Sequence, residues 1–548
     1  MSSIPSDQSP TAYAYPLLIK QLLLGVPVHA EQEIVYRDSL RYRYRDLRQR
    51  IGRLASALAG LGVAPGDTVA MMDWDSHRYL ECFFAVPMMG AVLQTVNVRL
   101  SNEQILYTLN HAGASVVIVH ADFLPVLAAI KDKLETVRRF VLIEEGGPAA
   151  DAGIAFAGAY EALLAAAAPD YDFPDFDENT RATTFYTTGT TGLPKGVYFS
   201  HRQLVLHTIV ELAALSMPAR QGRFHAEDVY MPLTPMFHVH AWGIPYVATV
   251  MGVKQVYPGR YLPDLLLRQI KAEGVTFSHC VPTILHMLLN HPASPEVDLS
   301  RWKVIIGGSA LPRALAQQAL GRGIDVFTGY GMSETCPLLT LAQVPSGLLA
   351  AAGDDGLDLR VKTGRPVPLV DLRIVDPEMR DAPHDGSATG EIVLRTPWLT
   401  QGYVKNAEAS AQLWAGGYLH TNDIGKIDAQ GYLTITDRIK DVIKTGGEWL
   451  SSIELEDIIA QHPAVSEVAV IAVKDARWGE RPFPLIVAKA GRAGEVTADT
   501  VKRHVTAYVE RGIISKYAVP ERVLVVDALA RTSVGKLDKK AMREKYAV

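Results

Sequence analysis

The sequence predicts an α/β protein that is divided into at least two domains. Its 548 residues and 59.8 kDa exceed what one hydrophobic core usually supports. Hydrophobic residues make up 48% and charged residues 21%, an ordinary balance for a globular protein. Short β-branched runs alternate with helical stretches along much of the chain, and this alternation favours largely parallel sheets covered by helices.

The individual elements follow from hydrophobic periodicity. In RDLRQRIGRLASALAGLGV, apolar residues recur at steps of three and four, which predicts a helix that ends near Gly60 and Gly62. EALLAAAAP (161–169) predicts a short surface helix. Five β-branched runs predict buried strands, at 67–74, 114–122, 138–145, 275–282 and 303–312.

The pattern changes after residue 370. Three runs, at 370–376, 390–396 and 431–437, predict strands with no helix between them, and hence a smaller β-rich unit beside the large domain. From Arg438 the chain returns to α+β character. We expect helices in 451–462 and 497–512 and strands in 465–473 and 484–490.

Composition and charge limit the kinds of binding partner and the cellular compartment that we expect. The chain has 54 Lys+Arg and 59 Asp+Glu, a near-balance that gives no support for a nucleic-acid partner. Cys82, Cys280 and Cys336 are widely spaced, which argues against disulfides or a zinc site and predicts buried thiols in a reducing cytosol. The N-terminus lacks the plan of a signal peptide, and the apolar run 83–93 is too short for a membrane span. We therefore expect a cytoplasmic protein without stable membrane insertion.

Residues 185–201 read FYTTGTTGLPKGVYFSH and suggest a phosphate-binding loop. A Walker loop needs four residues between its first glycine and a Gly-Lys-Ser/Thr sequence. Counted from Gly189, Pro194 stands where the second glycine belongs, and Gly196 stands where the hydroxyl belongs. Proline also has no N–H for a phosphate oxygen, so this is not a Walker site.

The loop still suits a triphosphate. Hydroxyl donors, glycines that permit close backbone approach, and one cation lie together in Thr187, Thr188, Gly189, Thr190, Thr191, Gly192 and Lys195. A bare GTTG would indicate only a surface turn. The whole string, however, resembles the signature loop of the adenylate-forming superfamily, which includes acyl-CoA synthetases, luciferases and peptide-synthetase adenylation domains. Thr188 replaces the more common serine and keeps the hydroxyl.

Further motifs occur in the order of that superfamily. PMFHVHAWG (235–243) resembles its aromatic-histidine segment, which implies that His238 lies at the reacting carboxylate and that Trp242 gates the acyl tunnel. Asn is more usual where His240 stands, so the resemblance leaves the pocket chemistry open there. GGSALP (307–312) resembles a loop lining the acyl and adenine sites, which implies acyl contacts for Gly307 and Gly308 and nucleotide contacts for Gly308 and Ser309.

GYGMSETCP (329–337) resembles the superfamily's Tyr-Gly-x-Thr-Glu motif. The resemblance implies that Tyr330 stacks on adenine, and that nucleotide contacts come also from Gly331, Met332, Ser333 and Thr335. It further implies that Glu334 and Thr187 hold Mg²⁺, an ion that prefers carboxylate and phosphate oxygens. GYLHTNDIG (417–425) resembles the segment whose aspartate, here Asp423, binds the ribose hydroxyls, although Asn422 replaces the usual glycine.

Two C-terminal motifs complete the resemblance. DRIKDVIKTGGEWLSSIELE (437–456) matches the interdomain crossover, which implies ribose contact by Arg438 and a nucleotide-contacting hinge at Lys440. The next residues are implied to meet the nucleotide (Lys444, Trp449) or coenzyme A (Lys444, Gly446, Gly447, Glu448). ARTSVGKLDKKAMRE (530–544) matches the C-terminal lysine segment with Ala530 in place of proline, and makes Lys536 the candidate catalytic lysine.

The resemblance implies an N-terminal adenylation domain over 1–439, with layered α/β sheets and a small β-rich subdomain. A small mobile α+β domain over 440–548 carries Lys536. The implied reaction joins a carboxylic acid to coenzyme A with ATP and Mg²⁺, through an acyl-adenylate, and Glu334, His238 and Lys536 are the implied catalytic residues. Fatty-acid members often dimerise, so a homodimer is an expectation.

Several alternatives stay open from the sequence. The acid is a short to long fatty acid or 3-methylmercaptopropionate, since the closest resemblance is to ligases for both. A stand-alone adenylating enzyme with another acceptor and a luciferase-like monooxygenase share the first half-reaction. A non-catalytic nucleotide sensor is expected to lack Lys536 or Glu334, and both residues are present. We expect no carrier domain in cis.

Overall fold

The structure is a computed structural model, and it describes residues 13–145, 153–187, 193–351, 356–445, 448–532 and 535–547. The mixed α/β architecture expected from the sequence is confirmed. In the described part of the chain, two large sheets are built mostly from parallel strands. A small antiparallel sheet and a C-terminal α+β unit follow them.

The first two strands form a hairpin, β1 (Glu33–Tyr36) and β2 (Leu40–Arg43), that joins a sheet completed later in the chain. The next strands form one sheet, namely β3 (Thr68–Met72), β4 (Val92–Thr95), β5 (Ala114–His120), β6 (Arg139–Ile143), β7 (Phe156–Ala159), β8 (Arg181–Thr187) and β9 (Lys195–Ser200). Their spatial order is β7-β6-β5-β3-β4-β8-β9, and only the β8–β9 pair among the described pairings is antiparallel. β3, β4 and β5 are buried throughout, as expected for parallel strands covered on both faces.

The second large sheet carries the cavity described below. Its further strands are β10 (Val229–Leu233), β11 (Lys254–Tyr257), β12 (Phe277–Cys280), β13 (Lys303–Ile306), β14 (Asp325–Gly331), β15 (Leu338–Leu341) and β16 (Arg365–Pro366). The order is β16-β15-β14-β13-β12-β10-β11-β1-β2. All neighbours from β1 to β14 are parallel, so the carboxyl ends of β10, β12, β13 and β14 lie at one edge.

The β-rich unit is an antiparallel sheet in which four strands follow in sequence, β17 (Asp371–Val375), β18 (Gly390–Arg395), β19 (Leu419–Ile427) and β20 (Leu433–Arg438). The expectation that no helix interrupts this region is wrong, because Ala407–Leu413 is helical. Asn406 caps this helix by accepting from the Ala409 N–H at 3.0 Å. The helix was missed because it buries a single residue, Leu413, and leaves no periodic apolar pattern.

The C-terminal unit has its own sheet, formed by β21 (Ile443–Thr445), β22 (Glu448–Leu450), β23 (Val465–Asp475), β24 (Gly479–Ala488) and β25 (Leu524–Val525). The helices predicted in 451–462 and 497–512 are confirmed as Ser452–Ala460 and Ala498–Glu510. A last helix, Lys539–Tyr546, packs its buried Met542 into a hydrophobic cluster of this unit.

We call residues 13–438 the large region, and its remaining helices cover the two large sheets. Those of the large region are Tyr44–Gly60, His77–Met88, Asn102–Ala112, Leu124–Ile130, Tyr160–Ala166, His201–Ser216, Ile244–Met251, Pro263–Glu273, Pro282–Leu289, Arg313–Gly321, Ser346–Ala351 and Leu357–Arg360. The largest hydrophobic cluster joins both sheets and includes Phe83, Phe185, Tyr246 and Phe277. The three cysteines are buried. No described helix has the length and apolar character that a membrane span requires.

The first helix illustrates how sequence becomes packing. Tyr44–Gly60 buries Leu47, Ile51, Leu54 and Leu58, as the periodicity predicts. Gly52 lies in the middle of this helix, where glycine is intrinsically unfavourable. A Cβ at position 52 would lie 1.8 Å from the carbonyl oxygen of Pro169, so the absence of a side chain allows the helix to pack closely.

We predict that Gly52→Ala lowers the free energy of unfolding by about 1–3 kcal/mol, because the backbone contact outweighs the gain in helix propensity. Gly60→Ala is the matched control, since a Cβ there meets nothing within 4 Å. It should be neutral or stabilising by up to about 1 kcal/mol. Denaturant unfolding of the two variants tests this, and equal stability would contradict the close packing.

Candidate active site

A cavity with about 640 Å³ of empty space, including its mouth, lies at the carboxyl edge of the second large sheet. Thr234 follows β10, Val281 follows β12, and Gly307 and Gly308 follow β13. The end of β14 adds Gly329 to Gly331. Loops beyond the carboxyl ends of parallel strands commonly form binding sites, so this edge is the candidate site.

One wall of the cavity is a strained turn. Val239, His240, Ala241 and Trp242 all have left-handed backbone conformations, with φ between 47° and 60°. Such a conformation costs roughly 1–2 kcal/mol for each residue that has a Cβ. The side chain of His240 is buried beside Phe83, Phe185, Phe199 and Tyr246 and anchors the turn. The turn itself presents His238, Val239 and Trp242 to the cavity.

Trp242 is held by polar groups behind it. Its ring lies against His279 with centroids 4.9 Å apart, and the Tyr230 hydroxyl lies 2.8 Å from His279 Nε2. Burial lowers the pKa of His279 to about 3, so the supporting ring is neutral. A Cβ at Gly307 would approach Trp242 Cη2 to 2.7 Å, which explains why a glycine stands opposite the indole.

Lys536 reaches this cavity from the C-terminal unit. Its Cε lies 3.1 Å from the position that a Cβ would take at Gly308. The turn that carries it is tied by Arg531, whose guanidinium donates to Gly535 O at 3.0 Å and to Thr283 Oγ1 of the large region at 2.9 Å. The same guanidinium pairs with both carboxylate oxygens of Glu467 at 2.9 Å. Arg531 therefore connects the Lys536 turn to both parts of the chain.

The charges around Lys536 come from three other residues. Burial and the positive charge of Arg438 lower the pKa of Lys536 to about 8, although Asp423 and Glu334 act in the opposite direction. Burial, together with the charges of Lys536 and Arg99, lowers the pKa of His238 to about 3. His238 is therefore a neutral hydrogen-bonding group near neutral pH.

Tyr330, which lines the cavity, forms a second polar group with Asp423 and Arg438. The Tyr330 hydroxyl donates to Asp423 Oδ2 at 2.8 Å, and Arg438 Nε donates to Oδ1 at 3.2 Å. Asp423 follows Asn422, which has a left-handed φ of 59°, a conformation that asparagine tolerates better than most residues. A carboxylate has about four acceptor positions, so Asp423 keeps capacity for further donors.

Glu334, Lys195 and Tyr403 form a third group. The Tyr403 hydroxyl donates to Glu334 Oε1 at 2.7 Å, and Lys195 Nζ lies 4.7 Å from the centre of the Tyr403 ring. Lys195 begins β9 and pairs with Thr187 at the end of β8, so both flank the glycine-rich loop. Burial raises the pKa of Glu334, while the Tyr403 hydroxyl, Lys195 and Lys536 lower it.

Family models match both parts of the chain. The "AMP-binding enzyme" model matches residues 26–404, and the "AMP-binding enzyme C-terminal domain" model matches residues 454–536. The chain belongs to the AMP-binding enzyme family. The resemblance to adenylate-forming enzymes noted from the motifs is therefore confirmed.

Curated relatives of this AMP-binding enzyme cover nearly its whole length. A long-chain-fatty-acid–CoA ligase from Thermus thermophilus is 41% identical, over 92% of this chain and 90% of the relative. A 3-methylmercaptopropionyl-CoA ligase from Ruegeria lacuscaerulensis is 38% identical, over 97% of each chain. A medium-chain-fatty-acid–CoA ligase from Ectopseudomonas oleovorans is 36% identical, again over 97% of each.

Solved structures show the same fold. ATP-bound MatB from Rhodopseudomonas palustris has a TM-score of 0.82 at 25% identity, covering 97% of this chain and 99% of that one. A Mycobacterium tuberculosis fatty acyl CoA synthetase has a TM-score of 0.70 at 27% identity, covering 97% and 98%. Both are similar to this AMP-binding enzyme across the large region and the C-terminal unit.

Nine of the expected site residues of the AMP-binding enzyme line the cavity. Gly331, Met332 and Ser333 line it together with Lys536, His238, Trp242, Gly307, Gly308 and Tyr330. Ser309, the residue after Gly308, is exposed. The Thr335 hydroxyl accepts from the Met332 N–H and donates to Pro337 O, and thus shapes the turn that carries Glu334.

Lys440 and Lys444 of the crossover are not among the residues that line the cavity. Lys440 lies in the turn between β20 and β21, and Lys444 lines a separate surface pocket with Lys474, Gly479 and Glu480. The expected loop residues Thr188, Gly189, Thr190, Thr191, Gly192, Gly446 and Gly447 lie outside the described residues, as do the side chains of Glu448 and Trp449.

Sequence reasoning missed three residues of this site. Tyr403 contacts Glu334, and Arg531 contacts Thr283. No local sequence motif predicts either of these long-range contacts. Glu211 lines the cavity from the helix His201–Ser216, where a single acidic residue among apolar ones gives no signal by itself.

Proposed function

We propose that this AMP-binding enzyme is an ATP-dependent acyl-CoA synthetase. It would activate a carboxylic acid as an acyl-adenylate and transfer the acyl group to coenzyme A. The observation that carries this is that Lys536, from the C-terminal unit, shares one cavity with Trp242 and Tyr330 of the large region. One cavity thereby holds a cation, an apolar wall and a polar nucleotide end.

In the first half-reaction, a carboxylate oxygen of the acid attacks the α-phosphorus of ATP, and the bond to pyrophosphate breaks. The barrier arises largely from bringing two anions together, so placement and charge neutralisation are the main tasks of the protein. Lys536 would lie between the carboxylate and the α-phosphate. His238, neutral near pH 7, would hydrogen-bond the reacting carboxylate.

The nucleotide would lie along the remaining polar groups. Tyr330 would stack on adenine, and Asp423 with Arg438 would hold the ribose. The glycine-rich loop and Lys195 would hold the phosphates that leave. Glu334 and the Thr187 hydroxyl fit a hard cation such as Mg²⁺, because a single carboxylate leaves most coordination positions for phosphate oxygens and water. When bound, Mg²⁺ would neutralise part of the triphosphate charge.

In the second half-reaction, the sulfur of coenzyme A attacks the acyl carbon, and the bond to AMP breaks. The thiol proton passes to solvent, because a thiol with a pKa of about 8.5 is partly ionised to thiolate at neutral pH. We infer that the chain turns about Lys440, at the boundary between residues 1–439 and 440–548. This turn would withdraw Lys536 and bring the Lys444 to Trp449 segment to the site.

The turning point has contacts that support this proposal. Asp437 accepts from the Ser452 N–H at 2.6 Å and from its hydroxyl at 2.7 Å. Arg543 pairs with Asp441 at 2.7 Å. Asp441 lies three residues beyond Arg438, the last residue of β20. The Asp437–Ser452 contact joins the two sides of Lys440 in the present arrangement, and a polar contact of this kind suits two alternating states.

The acid is a fatty acid or 3-methylmercaptopropionate, the acids in the names of the relatives reported above. Trp242 would set the depth of the acyl site. We further propose a cytoplasmic homodimer. The buried, unpaired cysteines fit a reducing compartment, whereas the dimer rests only on the resemblance to fatty-acid ligases.

We predict that Lys536→Ala abolishes acid-dependent pyrophosphate release but still forms thioester from supplied acyl-adenylate and coenzyme A. Lys540→Ala is the matched control, because Lys540 lies on the next helix and pairs only weakly with Glu544 at 3.4 Å. It should leave both half-reactions unchanged. Equal loss of both half-reactions in Lys536→Ala would contradict the role of Lys536 in adenylation.

We predict that Tyr403→Phe moves the acid limb of pyrophosphate release to higher pH. The hydroxyl of Tyr403 lowers the pKa of Glu334, so its removal keeps Glu334 protonated, and unable to hold a cation, up to a higher pH. Tyr432→Phe is the control, since its hydroxyl donates to Gln343 O and its ring lies near Lys362 and Arg365. An acid limb that stays in place in Tyr403→Phe would contradict the coupling.

A further inference from the structure

Glu211 is a buried carboxyl in the wall of the acyl cavity. It lies on the helix His201–Ser216, and its side chain is 2% exposed. Its atom Oε2 has no hydrogen-bond partner among the described residues. A buried polar atom without a partner costs roughly 1–3 kcal/mol, so an aliphatic side chain would be cheaper if this position served packing alone.

The neighbouring histidine does not satisfy Glu211. The Leu338 N–H donates to His207 Nε2 at 3.2 Å, which places the proton of the neutral ring on Nδ1. His207 Nδ1 lies 3.8 Å from Glu211 Oε2, too far for a hydrogen bond. Burial lowers the pKa of His207 to about 3, so the pair is not an ion pair.

Burial also raises the pKa of Glu211 well above its usual range. Burial thus favours the protonated carboxyl, which has an O–H to donate. A neutral donor of this kind suits an uncharged acceptor, because no charge is then buried on either side of the hydrogen bond.

Glu211 belongs to the lining of the cavity, and Gly243 leaves room beside its carboxyl. Gly243 has a φ of 82°, and a Cβ there would lie 3.0 Å from Glu211 Oε2 and 2.9 Å from His207 Cε1. The surrounding lining is mostly apolar and includes Val239, Ile244 and Leu338. A methylene chain beside these residues would leave the Glu211 carboxyl without a partner.

We propose that Glu211 is a specificity-determining residue that donates a hydrogen bond to an uncharged acceptor atom, an oxygen or a sulfur, within the acyl chain of the substrate. The enzyme would then prefer acids that carry such an atom to plain hydrocarbon acids of the same length. This inference rests on the proposed acyl-CoA synthetase function. It deepens that function by naming the substrate class, because buried polar groups discriminate strongly against analogues that lack the matching atom.

The test compares kcat/KM for matched acids in coenzyme A thioester formation. Short and medium unbranched saturated acids are paired with analogues in which one chain methylene is replaced by an ether oxygen or by a thioether sulfur, at successive positions. For at least one position we expect the wild type to prefer the analogue by about 10-fold, the factor for about 1.4 kcal/mol. The oxygen and sulfur series show which acceptor is favoured.

Glu211→Leu should reduce this preference to about unity, whereas Glu211→Gln keeps N–H donors and should retain part of it. The ratio of two acids on one preparation cancels any loss of folded enzyme, and Glu211→Gln provides the readout if Glu211→Leu does not fold. Gln269→Leu is the matched control, because Gln269 is 1% exposed with both amide atoms unpartnered, on the helix Pro263–Glu273. It should leave the ratio unchanged.

Three outcomes would overturn the inference. A wild type that favours saturated acids at every position would contradict it while the synthetase function stands. A preference that persists in Glu211→Leu would assign the selectivity to other residues. If no acid supports pyrophosphate release, the proposed function fails and the inference fails with it.

Discussion

The positive charge of Lys536 inside the cavity is the interaction on which the rest of the site depends. The ammonium group stands close to Gly308, in a place where burial and Arg438 disfavour its charge. Arg531 holds the turn that carries Lys536 through its contacts with Thr283 and Glu467. A cation that is costly when the cavity is empty becomes favourable when a carboxylate and a phosphate lie beside it, because their charges compensate the lost solvation.

The backbone around the cavity is also in an unfavourable state, because part of it is strained. The left-handed turn from Val239 to Trp242 is held by the buried ring of His240, at a cost that ordinary packing does not require. In return the turn directs His238 to one part of the cavity and Trp242 to another. Strain at one wall and an unpartnered carboxyl at Glu211 are both unfavourable for folding alone, which is typical of residues that serve binding.

Much of the fold could be predicted because its strands are strongly patterned. The run at 114–122 contains β5, and the first four residues of the run at 303–312 form β13, since continuous β-branched segments suit a parallel sheet buried on both faces. The helix Ala407–Leu413 could not be predicted, because its one buried residue leaves no periodicity. Periodicity reports burial, so an element that buries little is invisible to it.

Some residues of the site could likewise be predicted from the sequence, and others could not. Its motif residues follow β13 and β14 directly, so parallel topology brings Gly308 and Tyr330 to one edge. Tyr403 could not be predicted, because its role is a hydrogen bond to Glu334, 69 residues away in sequence. Glu211 was missed for a related reason, since only the packing around it shows that its carboxyl lacks a partner and faces the cavity.

The most direct test is the pH dependence of kcat/KM for the acid in pyrophosphate release, a quantity that reports ionisations of the free enzyme. The pKa of Lys536 is about 8, so raising the pH through this value removes the positive charge and the rate should fall. Lys536→Arg keeps its charge throughout this range, and its alkaline limb should disappear even if its rate is lower. An alkaline limb with the same pKa in Lys536→Arg would contradict the central role of the Lys536 charge.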